Sequence, residues 1–214
     1  NDTHSMARGL ASGFGALWLT WGNLAPLFVG AAISNGFMKT AKEGMAVAHS
    51  LQVIASLGKS TSDTFFDVIE NTSKLTSEII SLGKSSIYGP LELAKSMEIL
   101  SLAGLKTHEI ISSIGTVMDL ATAGTTSAAN AADVLVSITT AFGSGVGGFR
   151  QAADIMVQVA ADSKASVESI GEAIKLASVA GEQYGATVTD VGALIGMLAN
   201  LGIQGSAAGT AIRN

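Results

Sequence analysis

Apolar residues recur at steps of three and four along most of this chain, which is the spacing that gathers them on one face of an α-helix. From Met45 to Leu82 the steps are heptad-like, and the run closes with Leu75, Ile79 and Leu82. Such a stripe can be the seam of a coiled coil between copies of the chain, although the run is shorter than the three or four heptads that a coiled coil needs. An ordinary amphipathic helix is the alternative.

Downstream of the linker at Ser85 to Pro90, the pattern changes to shorter helices that are punctuated by glycine. Glycine most readily adopts the left-handed backbone conformation that closes a helix. Thr107 and Thr187 are predicted N-caps, because threonine hydroxyls accept hydrogen bonds from the free N–H groups of a first turn. The pattern predicts helices at Leu91–Ala103, Thr107–Ala123, Ser127–Phe142, Phe149–Ala161, Val167–Gly181 and Val188–Leu201.

No alternating run of β-branched residues is long enough to predict a strand. The predicted fold class is therefore all-α, with short glycine-punctuated helices forming small bundles, preceded by longer helices that can pack as a coiled coil. The chain divides into an apolar segment at residues 1–44, long amphipathic helices at 45–84 and short helices at 85–214.

The apolar segment has thirty consecutive uncharged residues between Arg8 and Lys39. About twenty apolar residues are enough to cross a bilayer. Pro26 would kink a continuous helix, so the segment is not typical of a simple membrane span. We interpret it as membrane-active, with a buried helical hairpin as the alternative. The candidate membrane-contacting residues are Trp18, Trp21, Leu24 and Phe28.

Charged residues make up only 14% of the chain, against about 25% in typical soluble domains. Such a charge-poor surface favours association, and cyclic homo-oligomers are the usual form that it takes. The net charge of -5 and the scattered cations argue against sequence-specific nucleic acid binding, which relies on clustered Lys and Arg. The absence of cysteine excludes a disulfide framework.

The sequence contains no arrangement typical of a catalytic or metal site. His4, His49 and His108 are far apart, and without cysteine a zinc site would need a set of carboxylates. The glycine-rich stretch from Gly143 to Gly148 follows no predicted strand and lacks the Lys-Ser/Thr ending of a phosphate-binding loop, so we interpret it as a hinge. We expect no catalytic residue, no metal and no cofactor.

The most distinctive stretch lies at residues 198–213. Gly202 follows a periodic apolar run, so it is a predicted helix end. Gly205 and Gly209 are four residues apart with small residues between them, and on a helix they would form a smooth face that another backbone could approach closely. The alternative is that these glycines only cap and turn the chain.

This stretch ends an ordered series of Gly181, Gly185, Gly202, Gly205, Gly209 and Arg213, and a looser match extends back to about residue 90. The series resembles the core region of the phage tail tape measure protein family. The resemblance assigns a structural role to Gly202, Gly205, Gly209 and Arg213, and it makes residues 85–214 the core region.

The resemblance implies a structural virion protein inside the tail or at the tail tip. Such a protein helps to set tail length during assembly and assists genome delivery through the host envelope. The implied partners are tail tube and tail tip proteins, further copies of the chain and, transiently on infection, the host cell membrane. We expect a trimer, with a hexamer as the alternative, because a tube of three- or six-fold symmetry suits those copy numbers.

Two other functions fit parts of the sequence. The low charge and the apolar segment at residues 9–38 would also suit a membrane-perturbing pore or toxin-like helical protein. An enzyme would need a lytic domain, whose motifs are absent from these residues. Because the chain starts with Asn1 and the resemblance runs up to its last residues, we expect a fragment of a longer protein.

Overall fold

The computed structural model describes residues 41–57 and 65–214. All regular elements in these two ranges are helical, which confirms the all-α prediction. A short 3-10 helix lies at Val146–Gly148. The α-helices are α1 Ala41–Leu57, α2 Phe65–Ser85, α3 Pro90–Leu102, α4 Thr107–Ala123, α5 Ala128–Ala141, α6 Phe149–Asp162, α7 Val167–Gln183, α8 Val188–Asn200 and α9 Gly205–Arg213.

The six helices predicted between residues 91 and 201 are all present, and their ends differ from the prediction by at most two residues. Gly205 and Gly209 both lie within α9, Gly205 as its first residue with a left-handed φ of 56° and Gly209 in its interior. None of the described helices combines the length and the apolar character that crossing a bilayer requires. Residues 1–40, with Trp18, Trp21, Leu24 and Phe28, lie outside the described ranges.

One of the two predicted threonine caps is confirmed. The Thr187 hydroxyl accepts a hydrogen bond from the Asp190 N–H at 3.2 Å, and the Thr187 N–H donates to the Asp190 carboxylate at 2.9 Å. Hydrogen bonds from the side chain and then the backbone of Thr187 lower the pKa of Asp190. The Thr107 prediction is wrong, because the extended residue before α4 is Lys106, whose N–H donates to the Glu109 carboxylate at 2.7 Å.

The helices stack in two rows. Each odd-numbered helix packs against the next odd-numbered helix, from α1 to α9, and each even-numbered helix packs against the next even-numbered one, from α2 to α8. One hydrophobic core runs between these rows. The short helices were expected to pack together in small bundles, and the described ones pack as one continuous stack with an odd row and an even row.

The odd row has a regular period. The starts of α3, α5, α7 and α9 lie 38, 39 and 38 residues apart. The fourth residue of each helix is fully buried, namely Leu93, Ala131, Ile170 and Ala208. The eighth residue also faces the core, namely Met97, Leu135, Ile174 and Ile212. A supersecondary unit that recurs at a fixed period is typical of repeat architectures, in which each unit buries its apolar face against its neighbours.

The heptad-like stripe of α2 contributes to this same core. Leu75 and Ile79 are each 1% exposed, and Leu82 is half-buried against the core cluster. Contacts within one chain therefore account for the stripe, and no coiled coil is needed to bury it. A second copy could reach Leu75 and Ile79 only if α2 separated from the core, so self-association through these residues stays a prediction.

Candidate functional site

Small residues occupy one register position along the odd row. The fifth positions of α3, α5, α7 and α9 are Ala94, Ala132, Gly171 and Gly209. A Cβ added at Gly209 would lie 2.5 Å from the Ala173 carbonyl oxygen and 2.8 Å from the Leu176 Cβ. Because the first of these atoms belongs to the backbone of α7, it cannot move aside cheaply. The close backbone approach considered for this glycine pair is thus present at Gly209.

Gly205 lies at the first position of α9, with a φ of 56°. Its N–H donates to the Ser169 hydroxyl of α7 at 2.9 Å. The same arrangement joins α3 to α5, where the Ala128 N–H donates to the Glu92 carboxylate at 3.0 Å. Ser169 and Glu92 are both the third residue of their helices. A side chain of one helix thus satisfies a free N–H group at the start of the next odd-row helix.

Gly202 ends α8, as predicted, with a φ of 89° and a hydrogen bond from the Ile203 N–H to the Leu198 carbonyl at 2.9 Å. Gly104 has the same φ, and the Leu105 N–H bonds to the Leu100 carbonyl at 3.1 Å after α3. The similar sequences around Gly104 and Gly202 therefore share one kind of helix ending.

Arg213 is the last residue of α9 and is exposed. A cation at this end of a helix interacts favourably with the helix dipole. Of the four residues in the series at the end of the chain, Gly202, Gly205 and Gly209 thus shape the backbone and the packing of α8 and α9. Arg213 lies on the surface.

The even row contains two equivalent grooves. The groove between α4 and α6, of about 330 Å³, is lined on the α4 side by Thr116, Asp119, Leu120 and Ala123. The groove between α6 and α8, of about 350 Å³, is lined on the α6 side by Ile155, Gln158, Val159 and Asp162. The second set follows the first at a constant shift of 39 residues, so the repeat extends to the even row.

The ion pairs between described helices of the stack are solvent-exposed. Lys175 of α7 pairs with Asp133 of α5, and Arg150 of α6 lies 3.6 Å from the Asp119 carboxylate of α4. Exposed pairs of this kind contribute about 0–1 kcal/mol. Within the part of the chain that the structure describes, no group of His, Asp and Glu side chains could hold a metal ion. The arrangement provides helix-to-helix packing surfaces.

The sequence prediction missed the repeat itself. Its signal was a recurrent register of a helix start followed by buried fourth, fifth and eighth positions. Different residue types fill those positions, so the units show no clear sequence similarity to one another. The similarity that the sequence did show, around Gly104 and Gly202, joins an odd-row helix end to an even-row helix end.

Comparison with known proteins adds the family. Residues 76–214, which include all of α3 to α9, match the family described as phage-related minor tail protein. The chain is also 29% identical over 144 residues to the tape measure protein of Pneumococcus phage Dp-1, an alignment that covers 67% of this chain and 12% of that protein. No solved structure matches the chain. The match over most of the stack shows that the chain belongs to the phage-related minor tail protein family.

Proposed function

We propose that this chain is part of a tape measure protein that helps to set tail length during assembly and assists genome delivery. Membership of the family gives it a structural role in the phage tail. The observation that supports a role in setting tail length is the regular stack within the matched range, in which each unit is one odd-row helix and the even-row helix that follows it. A protein built from units of 38–39 residues can change its length in equal steps when units are gained or lost.

The contribution of one unit to length depends on how the unit lies in the tail. Neighbouring packed helices are about 8–10 Å apart, so one stacked unit adds roughly 10 Å along the stack. A continuous helix rises 1.5 Å per residue, so the same residues drawn out as one helix would span about 58 Å. Tail length can therefore distinguish a stacked unit from an extended one.

Deletion of residues 128–166 should shorten the tail. This change removes one whole unit, α5 with α6, and joins Ser127 to Val167. Ser127 then replaces Ser166 before α7, and the α4 face that contacted α6 meets the α8 face that contacted α6. We expect tails shorter by about 10 Å if the stack stays intact along the axis, and by about 58 Å if the unit is extended. Tail lengths would be measured by electron microscopy of phage that carry the deletion.

Duplication of the same residues is the matched control, since it should lengthen the tail by the same amount. Normal tail lengths with both changes, in particles that contain the altered protein, would contradict a role in setting length. Loss of tails with the deletion and normal tails with the duplication would instead indicate a role in assembly alone.

We further propose that the chain acts as a homo-oligomer, a trimer by preference and a hexamer as the alternative, together with tail tube and tail tip proteins. The support is the charged fraction of 14%, which leaves little polar surface to cover isolated helices. Leu82, the half-buried residue of the α2 stripe, is the one of the three candidate contact residues that a neighbouring copy could reach without a change in the fold.

For genome delivery, we propose that residues 9–38 contact the host membrane. Replacing Leu24 and Phe28 together with Lys should oppose insertion, because each Lys near the centre of a membrane helix costs about 2.5–3.5 kcal/mol. We expect reduced potassium efflux and reduced DNA entry from particles with normal tail length and normal adsorption. The control variant carries Ser5→Lys and Thr40→Lys, which lie outside the uncharged stretch. Undiminished delivery by the Leu24 and Phe28 variant would remove the membrane role.

A further inference from the structure

The outward side of α8, together with Leu201 directly after it, carries a largely exposed apolar stripe. Leu194, Met197 and Leu201 are 42%, 57% and 78% exposed. Leu198, on the same side, is half-buried. Single exposed apolar residues are common on protein surfaces, whereas a contiguous stripe of large ones usually marks an interaction surface.

The repeat indicates which kind of helix this stripe should contact. The α4 residues that line the groove towards α6 have equivalents 39 residues later on α6, and those line the groove towards α8. A further shift of 39 residues from Ile155, Gln158, Val159 and Asp162 leads to Leu194, Met197, Leu198 and Leu201. The stripe therefore occupies the register at which each earlier even-row helix contacts the next even-row helix.

The opposite faces of the even-row helices confirm the shift. On α6 the residues that line the groove towards α4 are Arg150, Ala153, Asp154, Val157 and Gln158. On α8 the residues that line the groove towards α6 are Thr189, Gly192, Ala193, Gly196, Met197 and Asn200. The first five of these follow the α6 set at a shift of 39 residues. Gln158 lines both grooves, so its equivalent Met197 lies between the two faces of α8, while Leu194, Leu198 and Leu201 belong to the forward face.

We infer that the stripe of Leu194, Met197, Leu198 and Leu201 is the docking surface for a further even-row helix, supplied by the same polypeptide after α9. Each earlier odd-row helix that packs on its predecessor is followed in the chain by the next even-row helix. Because α9 packs on α7 as α7 packs on α5, the residues after α9 are placed to form that next even-row helix. This inference goes beyond the proposed function, since it concerns the continuation of the stack and does not depend on tail length or membrane contact.

The contact side of this helix should carry small residues. Gly192 and Gly196 of α8 lie against α6, where a Cβ at Gly192 would be 3.1 Å from Ile155 and one at Gly196 would be 3.3 Å from Val159. Small side chains at these two positions let the α8 backbone approach α6 closely. The expected occupant is therefore an amphipathic helix with Gly or Ala at the positions equivalent to Gly192 and Gly196.

A second copy stacked head to tail is the alternative occupant. The shift of 39 residues and the connection that α9 provides favour a helix of the same polypeptide, because both follow from the order of the helices within one chain.

The chain itself supplies the probe. Because α9 starts 38 residues after α7, Asn214 takes the place of Leu176, and a copy of residues 177–204 appended after Asn214 would complete a longer α9 and add one helix of the α8 type. The three outward positions of the appended helix, equivalent to Leu194, Met197 and Leu201, are made lysine so that the new end is polar, as terminal units of repeat proteins are.

We expect the appended unit to raise the midpoint of thermal unfolding by about 5 °C and to leave the oligomeric state measured by sedimentation unchanged. Amide hydrogen exchange within α8 should slow by at least about tenfold, since α8 would no longer be the end of the row. The matched control carries Leu194→Lys and Leu201→Lys in the original α8 with the same extension. Both positions are exposed, so this control should fold, and it should show neither the rise in the midpoint nor the slower exchange.

Three results would overturn the inference. Equal stabilisation of the control would show that the appended unit does not use the stripe. A lower unfolding midpoint for Leu194→Lys with Leu201→Lys in the original 214-residue chain would show that another part of this chain already covers it. Association of the extended chain that is abolished by the same two substitutions would identify a second copy as the occupant.

Discussion

Gly209→Ala should destabilise the protein, whereas the same substitution at Gly115 should stabilise it. In an exposed helix interior, Ala is favoured over Gly by about 1 kcal/mol. A Cβ at Gly115, in α4, meets nothing within 4 Å, so this gain should be realised there. At Gly209 the new Cβ meets the Ala173 carbonyl oxygen at 2.5 Å. Overpacking of this kind costs about 1–3 kcal/mol, because α9 must move away from α7.

Urea unfolding of both variants measures the two changes in the free energy of unfolding. Hydrogen exchange would locate the effect, and we expect faster exchange in α9 for Gly209→Ala and unchanged exchange in α9 for Gly115→Ala. A Gly209→Ala protein as stable as the unsubstituted chain would mean that α9 is not held against α7 through this glycine.

The helices could be predicted because their boundaries depend on local chemistry. Gly202 closes α8 through its left-handed backbone, and Thr187 starts α8 through a hydrogen bond to a residue three positions away. Both signals are contained in a few consecutive residues. Thr107 shows the limit of this reasoning, since one residue decides where a cap lies and Lys106 adopts the extended conformation instead.

The packing could not be predicted in the same way, because periodicity shows that a helix has an apolar face but not what covers it. The stripe that ends in Leu75 and Ile79 is covered by the core of the same chain. The glycine face of α9 is covered by α7, and nothing in residues 205–213 identifies α7 as the partner. The candidate site consists of such long-range contacts, so only its residue types were visible in the sequence.

The repeat was hidden for a related reason. Burial depends on position within the unit, and a stack accepts a large residue in one helix opposite a small one in the next. Ala131 and Ala208 therefore stand at the same register position as Leu93 and Ile170. Selection for packed volume does not preserve residue identity. The period is therefore visible in the structure but not in a sequence comparison of the units.

The position of a residue within the stack should decide how much its truncation costs. Ile174 and Ile212 are both the eighth residue of an odd-row helix, but Ile174 is fully buried in the middle of the stack and Ile212 is half-buried in α9. We expect Ile174→Ala to lower the free energy of unfolding by about 2–5 kcal/mol, the usual range for a buried Ile or Leu. Ile212→Ala should cost clearly less, because its side chain keeps contact with water and leaves a smaller cavity.

Leu135→Ala extends this comparison to α5. Its cost should match that of Ile174→Ala, because both residues are fully buried and both helices contact a neighbouring helix on each side of the row. In a stack stabilised by contacts between adjacent units, interior positions lose contacts in two units and end positions in one. Urea unfolding of the three variants gives the order directly. Equal costs at all three positions would mean that α9 lies in as enclosed an environment as α5 and α7, and would contradict an uncovered end at α8 and α9.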